Sequence, residues 1–362
     1  MATTIGDSPR PLPYVSALDG LRAIAIVAVM GLHAIDSLFP SGALGVDVFF
    51  TLSAFLISAV LITDAGGTTQ FDYVRFYGRR AFRLLPALAL WLVFIALPTA
   101  VATRDAGSII SSTSASLLYV ANLSGRLDFT LGDAYFHAWS LSVEEQFYLV
   151  WPSALVLVLM RLSAASRRQL LIAAVLFAQV VFMVGDQLFA DNYFLPTGHI
   201  VPLALGVLAA DLWAYGMSPR LRRIIKFWPV PTIALSVLVL AVTVGDLARD
   251  RLWAIPMAGA VTALNILHVC LNDQSPVTRL LKSAPFVWIG QRSYGLYLYH
   301  RSLTLLVPAL ITDIRLTVAG PLVVIISLTV AWWSYRSVEC PARRRGNAWL
   351  ERRRGAELSH CS

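Results

Sequence analysis

Ten stretches of mostly apolar residues follow one another along this chain of 362 residues, at about 15–37, 44–63, 84–103, 141–160, 169–188, 198–216, 230–246, 252–271, 286–311 and 316–335. About 20 such residues in a helix cross a hydrocarbon layer of about 30 Å, where backbone groups must be satisfied internally. The fold expected is an all-α integral membrane bundle of about ten transmembrane helices. Composition agrees: 14% of residues are charged and 57% hydrophobic, against roughly 25% charged in a soluble domain. Segment 107–123 is apolar but interrupted by serines. It reads as an interfacial or re-entrant piece, with an eleventh span as the alternative.

The charges orient these spans. A net charge of +8 invites a nucleic-acid reading, but the cations cluster between apolar stretches, where they orient the chain and meet anionic lipid. With the N-terminus inside, the inward loops hold Arg75, Arg79, Arg80 and Arg83, then Arg161, Arg167 and Arg168, then Arg220, Arg222, Arg223 and Lys226, then Arg279 and Lys282. The tail from Arg336 adds Arg343–Arg345 and Arg352–Arg354, while the outward loops hold only Arg104, Arg126, Arg249, Arg251 and Arg315. An eleventh span would break this alternation. Both termini are expected in the cytoplasm and the protein in the cytoplasmic (inner) membrane. The first 14 residues lack the basic start and cleavage site of a signal peptide, so the first span is expected to be retained. The division expected is a cytoplasmic tail at 1–14, one membrane domain at 15–335 and a basic cytoplasmic tail at 336–362. Cys270, Cys340 and Cys361 have no paired spacing, so neither a disulfide framework nor a metal site is expected.

Polar residues inside the spans carry the chemistry. Charged and titratable groups in hydrocarbon are costly and mark functional interiors. Arg22 and His33 lie eleven positions apart, which returns to within roughly 20° of the same helix face after a rise of roughly 16 Å. Imidazole is a base suited to neutral pH, and guanidinium a fixed partner for phosphate or carboxylate. Asp19, one turn before Arg22, is an alternative partner for it. In residues 136–152, Glu144 and Glu145 sit just inside an apolar run. One reading has Glu144 orienting His33 as a carboxylate orients a catalytic imidazole; the other is helix capping from Ser140 or Ser142. Trp139 reads as aromatic belt or core. Four arginines fall within residues 75–83, with Arg80 and Arg83 on one helix face. They suit a polyphosphate handle such as that of acyl-CoA, or simply set topology. Asp47 opens the second span, on the side expected for His33. Tyr294, Tyr297 and His300 share a face of the ninth span. Asp47, Trp139, Ser142, Tyr297 and His300 are the candidates for contact with an acceptor. His137, His199 and His268 show no evident constellation.

These motifs together resemble the acyltransferase-3 family of membrane acyltransferases over about residues 15–345. They are LDGLRAIAIVAVMGLH, GVDVFFTLSAFLI, RRAFRLLP, HAWSLSVEEQFYLVWP, SYGLYLYH and SVECPARR. The resemblance implies ten spans and O-acylation, mostly acetylation, of glycans and some small molecules. It implies that Arg22 and His33 are the signature pair with His33 catalytic, that Arg80 and Arg83 are the arginine pair, and that Glu144 matters more than Glu145. Ala54 departs from the usual glycine, which leaves pocket size or helix packing open. Cys340 is also unusual before the proline. Family members acting on polymers often carry a further extracytoplasmic domain; the tail after Pro341 is too short to form one.

The function expected is transfer of an acyl group, acetyl above all, from cytoplasmic acyl-CoA (acetyl-CoA) to a hydroxyl of an extracytoplasmic glycan or glycolipid. His33 and Glu144 are the catalytic candidates, and Arg22, Arg80 and Arg83 hold the donor. His33 acts as base or as acyl carrier; the residues do not separate the two. Expected partners are acyl-CoA, the glycan acceptor and membrane lipid, with no nucleic acid and no metal. The alternatives are acylation of a small glycosylated metabolite and, in another class, a transporter. No repeat supports the latter.

Overall fold

A computed structural model describes residues 9–34, 39–64, 71–103, 105–244, 247–310 and 316–359. The ends of the first, seventh and ninth expected spans, Arg104, Arg315 and Cys361 lie outside the described residues. Those described form helices and no strand. In chain order they are α1 (Ser16–Ala34), α2 (Leu44–Asp64), α3 (Tyr73–Thr103), α4 (Ala106–Leu117), α5 (Ala138–Leu157), α6 (Ala164–Leu188), α7 (Ile200–Tyr215) and α8 (Pro219–Lys226). They continue with α9 (Pro229–Val244), α10 (Leu247–Leu271), α11 (Pro276–Leu281), α12 (Ala284–Gln291), α13 (Ser293–Leu310), α14 (Leu316–Ser334) and α15 (Cys340–Ser359).

Among the described residues eight helices are long and apolar enough to cross a membrane, and a ninth if α8 and α9, bent by 61°, count as one span. That is fewer than the ten expected. The expected span at 286–311 is two helices broken at Arg292. Its second piece, α13, carries His300 and Arg301 within its eighteen residues, which dilutes its apolar character. The seventh expected span corresponds to α9, sixteen residues long.

Three features shape the site. First, the arginines at 75–83 are not in a loop. They form the opening turns of α3, whose 31 residues extend about 46 Å, well beyond a bilayer core. Second, α4 is twelve residues long, about 18 Å, too short to cross. The chain turns back after it at Tyr119, a non-glycine residue at φ 55°. The turn is pinned to α5: Ala121 N–H donates to Ser142 Oγ (3.1 Å) and Gln146 Nε2 to the Tyr119 carbonyl (2.9 Å). This is the re-entrant arrangement. Third, the basic tail is ordered. A π-helical turn at Tyr335–Glu339 leads into α15, which lies along α3. Leu350 packs against Gly78, and the Trp349 and Phe82 rings lie 6.1 Å apart.

Helices α1 and α2 occupy the middle and are buried along most of their length, whereas α3, α5 and α6 turn apolar side chains outward. Against α2 lies α7, where Gly206 admits the backbone of Thr51 and the methyl of Ala54. Against α1 lies α12, where Gly290 meets the carbonyl of Asp19. A side chain at Gly290 has no room without moving one helix. Gly290→Val is expected to cost about 1–3 kcal/mol by overpacking. This would register as a lower unfolding midpoint of the detergent-solubilised protein; an unchanged midpoint contradicts the close approach.

Candidate active site

A cavity of about 260 Å³ opens between α1, α2, α3, α5 and α13. Its lining follows α2 from Val46 to Asp64, a rise of about 27 Å along the helix. Charge is segregated along it. Five arginines line it, Arg22, Arg75, Arg79, Arg80 and Arg83, against three acids, Asp64, Glu144 and Glu145. The sequence candidates Arg22, Arg80 and Arg83 are thus brought together.

They are not equivalent. Arg80 is fully engaged: its Nε and Nη2 donate to Glu145 (3.1 and 2.8 Å), Glu144 is 3.8 Å away, and its guanidinium lies 3.1 Å from the centre of the Tyr148 ring. Such a partly buried, neutralised cation braces the wall. Arg22 donates to Asp19 Oδ1 (2.9 Å), and Tyr14 donates to the same carboxylate (2.7 Å). Both readings of Arg22 therefore hold, since it pairs with Asp19 and also lines the cavity. Arg83 makes no ion pair among the described residues, and its side chain is open to the cavity. A cationic fork facing an enclosed space is suited to a phosphate.

Glu144 is not placed with His33. Its Oε1 accepts hydrogen bonds from Ser53 Oγ (2.6 Å) and from the Tyr148 hydroxyl. No described hydrogen bond of this carboxylate reaches an imidazole. It belongs to the middle of the cavity with Arg80, because it lies one to two turns along α5 from the end nearest the histidines.

The far end is closed by Tyr297. Its hydroxyl contacts Ser140 Oγ (2.5 Å) and donates to the His137 carbonyl (3.1 Å). Its ring centre is 6.3 Å from that of Phe49. Behind it lies a layer of three imidazoles. His300 and His137 are 5.5 and 5.6 Å from the Tyr297 ring and 5.4 Å from each other, and His33 is 5.4 Å from His300. Backbone carbonyls fix two tautomers. His300 Nδ1 faces the Tyr297 carbonyl (2.8 Å) and His137 Nε2 the Leu298 carbonyl (3.0 Å). A carbonyl only accepts, so these nitrogens carry the protons and the opposite ones are bare lone pairs. His300 Nε2 and His137 Nδ1 are buried without a partner. These two rings thus present lone pairs on their unpartnered sides. His33 itself is only half-buried.

The other acceptor candidates fall elsewhere. Asp47 pairs with His199, not His33: Oδ1 to Nδ1 is 2.7 Å, both side chains are inaccessible, and His199 Nε2 faces the Tyr193 carbonyl (2.7 Å). The imidazole is held from both sides, and the pair clamps α2 to the start of α7. Trp139 stacks on His199 (5.2 Å, 28°) and is absent from the cavity wall, as is Ser142, whose hydroxyl donates to the Ala138 carbonyl (3.0 Å). Both serve packing because their face of α5 turns toward α7 and the re-entrant turn. Ala54 is fully buried against Gly206 and does not line the cavity, so its extra methyl bears on helix packing. Sequence reasoning passed over His137, His199, Tyr119 and Tyr148. His137 opens the same motif as Glu144, and that adjacency was the available signal.

The acyltransferase domain model matches residues 15–336. The chain belongs to the acyltransferase-3 family. It is similar to O-acetyltransferase OatA of Staphylococcus aureus (strain NCTC 8325 / PS 47), 28% identical over 96% of this chain and 60% of the relative. It is also similar to a provisionally named peptidoglycan O-acetyltransferase, YrhL, of Bacillus subtilis (strain 168), 30% identical over 94% of this chain and 56% of the relative. The chain thus spans about three fifths of the length of these curated relatives. No solved structure matches it. Its apolar helices and this membership make it a multi-pass membrane protein.

The Asp47–His199 clamp generates a stability test. Removing one partner strands the other in a dry interior, and Asp47→Ala is expected to cost about 3–5 kcal/mol. Thermal unfolding of the solubilised protein measures this. A midpoint matching the parent would mean that the pair is not buried as described.

Proposed function

We propose that this chain is an integral membrane O-acetyltransferase that takes an acetyl group from acetyl-CoA and passes it to a hydroxyl of a cell-wall glycan. The observation that carries this reading is the cavity itself. It is lined by arginines at one end and by Tyr297 with Phe49 and Phe50 at the other, with His33 and two further imidazoles behind Tyr297. The alternation of basic loops supports an arginine end facing the cytoplasm and a histidine end facing outward, across the cytoplasmic membrane. The O-acetyltransferase and peptidoglycan O-acetyltransferase named among the relatives support the reaction and the acceptor class.

In this reading the donor enters phosphates last. Arg83 takes the diphosphate with help from Arg22, Arg75 and Arg79, while Arg80 stays with Glu145 and keeps the wall in place. The pantetheine arm follows α2 and brings the thioester to Tyr297. There the carbonyl stands against the Tyr297 ring, with the imidazole layer on the other side of it. The acceptor oxygen attacks the carbonyl carbon as its proton passes to His33. The carbon–sulfur bond then breaks, and the departing thiolate takes the proton from His33. An ester and the free thiol of CoA are left. Glu144 holds Tyr148 and Ser53, and so positions the passage instead of orienting the base.

Membranes containing the full chain, given labelled acetyl-CoA and glycan acceptors, test this directly. His33→Ala is expected to abolish transfer while insertion and CoA binding persist; near-normal turnover would remove the mechanism. Arg83→Ala is expected to weaken acetyl-CoA binding by about 1.5–3 kcal/mol, the range for a lost bond to a charged group. That loss would appear chiefly in KM. An unchanged KM would place the phosphates elsewhere.

A further inference from the structure

The closed end of the cavity limits what the donor can carry. Along α2 the lining passes from Asp64 through Ser53 to Phe49, Phe50 and Val46, and at that end the Tyr297 ring lines it against Phe49. That ring is almost fully buried, at 7% exposed. It is held at both edges. Its hydroxyl is fixed by Ser140 Oγ and the His137 carbonyl, and its faces are packed among Phe49, His137 and His300. Ser140, which holds it, belongs to the first turn of α5 and is itself buried. A wall fixed in this way from α2, α5 and α13 does not yield to a longer chain as a loop would.

From this arrangement we infer that Tyr297 is the residue that sets acyl-chain length, admitting an acetyl group against its ring and refusing longer chains. The inference rests on the acetyl-CoA reading above and deepens it. Ala54, the chain's departure from the family's usual glycine, has no part in this wall, because it faces Gly206. Beyond the last charged group, Glu144, the lining is Val46, Phe49, Phe50, Leu141, Tyr297 and the Ser140 hydroxyl, so the space there is almost wholly apolar. An added methylene gains apolar contact only where there is room for it. Against a fixed ring it must displace the ring from Ser140 or back the donor out from the arginines, and either lowers affinity.

Binding alone tests this, without a known acceptor. Labelled CoA on the solubilised full chain is displaced by acetyl-, butyryl- and hexanoyl-CoA, for the parent, Tyr297→Phe, Tyr297→Leu and Tyr297→Ala. The parent is expected to bind acetyl-CoA at least about tenfold more tightly than butyryl-CoA, as a filled apolar pocket discriminates methylenes. Tyr297→Phe keeps the ring and is expected to keep that preference. Tyr297→Leu and Tyr297→Ala are expected to erase or reverse it while binding CoA itself as the parent does, which also shows that they are folded. A parent that binds the three thioesters equally, or small-residue variants that bind CoA normally and retain the preference, would overturn the assignment. A parent that binds no CoA would overturn the donor reading itself, and the wall with it.

Discussion

The Arg80 guanidinium is the interaction on which the site depends. Arg80 is partly buried, and a cation that gives up much of its water in a helical bundle is stable only where its charge is answered on the spot. The answer comes from Glu145 in a two-pronged contact, from Glu144 nearby and from the face of Tyr148. Glu144 in turn holds Ser53. One charge therefore binds α2, α3 and α5 into a rigid wall. The cavity exists because three helices that would otherwise close on one another are held apart by a polar network that must stay satisfied.

That network also decides which charges remain for a ligand. With Arg80 consumed internally, the surplus positive charge falls on Arg83, Arg79 and Arg75, with Arg22 held by Asp19 at the edge. Polar chemistry then gives way to rings. The three imidazoles beyond Tyr297 present lone pairs, with two tautomers dictated by backbone carbonyls. Cationic side chains thus line one end of the cavity, and imidazole lone pairs lie behind Tyr297 at the other. A reaction that begins with a polyanionic donor and ends with a proton leaving an alcohol requires that division.

Hydropathy made most of the helices legible, because burial in lipid imposes length and apolarity at once. The end of α7 at Tyr215 and the end of α6 at Leu188 each fall within one residue of expectation. The re-entrant α4 was legible from its serines. What hydropathy supplies is depth along the bundle, and it supplies no angle around it. Glu144 and His33 were matched by depth, yet Glu144 turns toward α3 and the imidazole that meets His33 comes from α13. Asp47 failed for the same reason, being claimed by His199 on α7. The arginines at 75–83 read as a loop because charge was taken to end the span, whereas α3 simply continues past the apolar layer. The break at Arg292 and the packing of α15 on α3 depend on contacts between distant segments, which no local pattern records. The gathering of Arg22, Arg80 and Arg83 was foreseeable, since a shared helix face and a shared depth sufficed.

The central claim is that one passage carries the donor from an arginine mouth to a tyrosine wall, with His33 just beyond. The most direct measurement is a structure of the full chain bound to a non-hydrolysable acetyl-CoA analogue. The account predicts diphosphate oxygens within hydrogen-bond distance of Arg83 and the acetyl carbon against the Tyr297 ring. Phosphates bound away from the α3 arginines, or an acetyl group lodged far from Tyr297 and the imidazole layer, would contradict it.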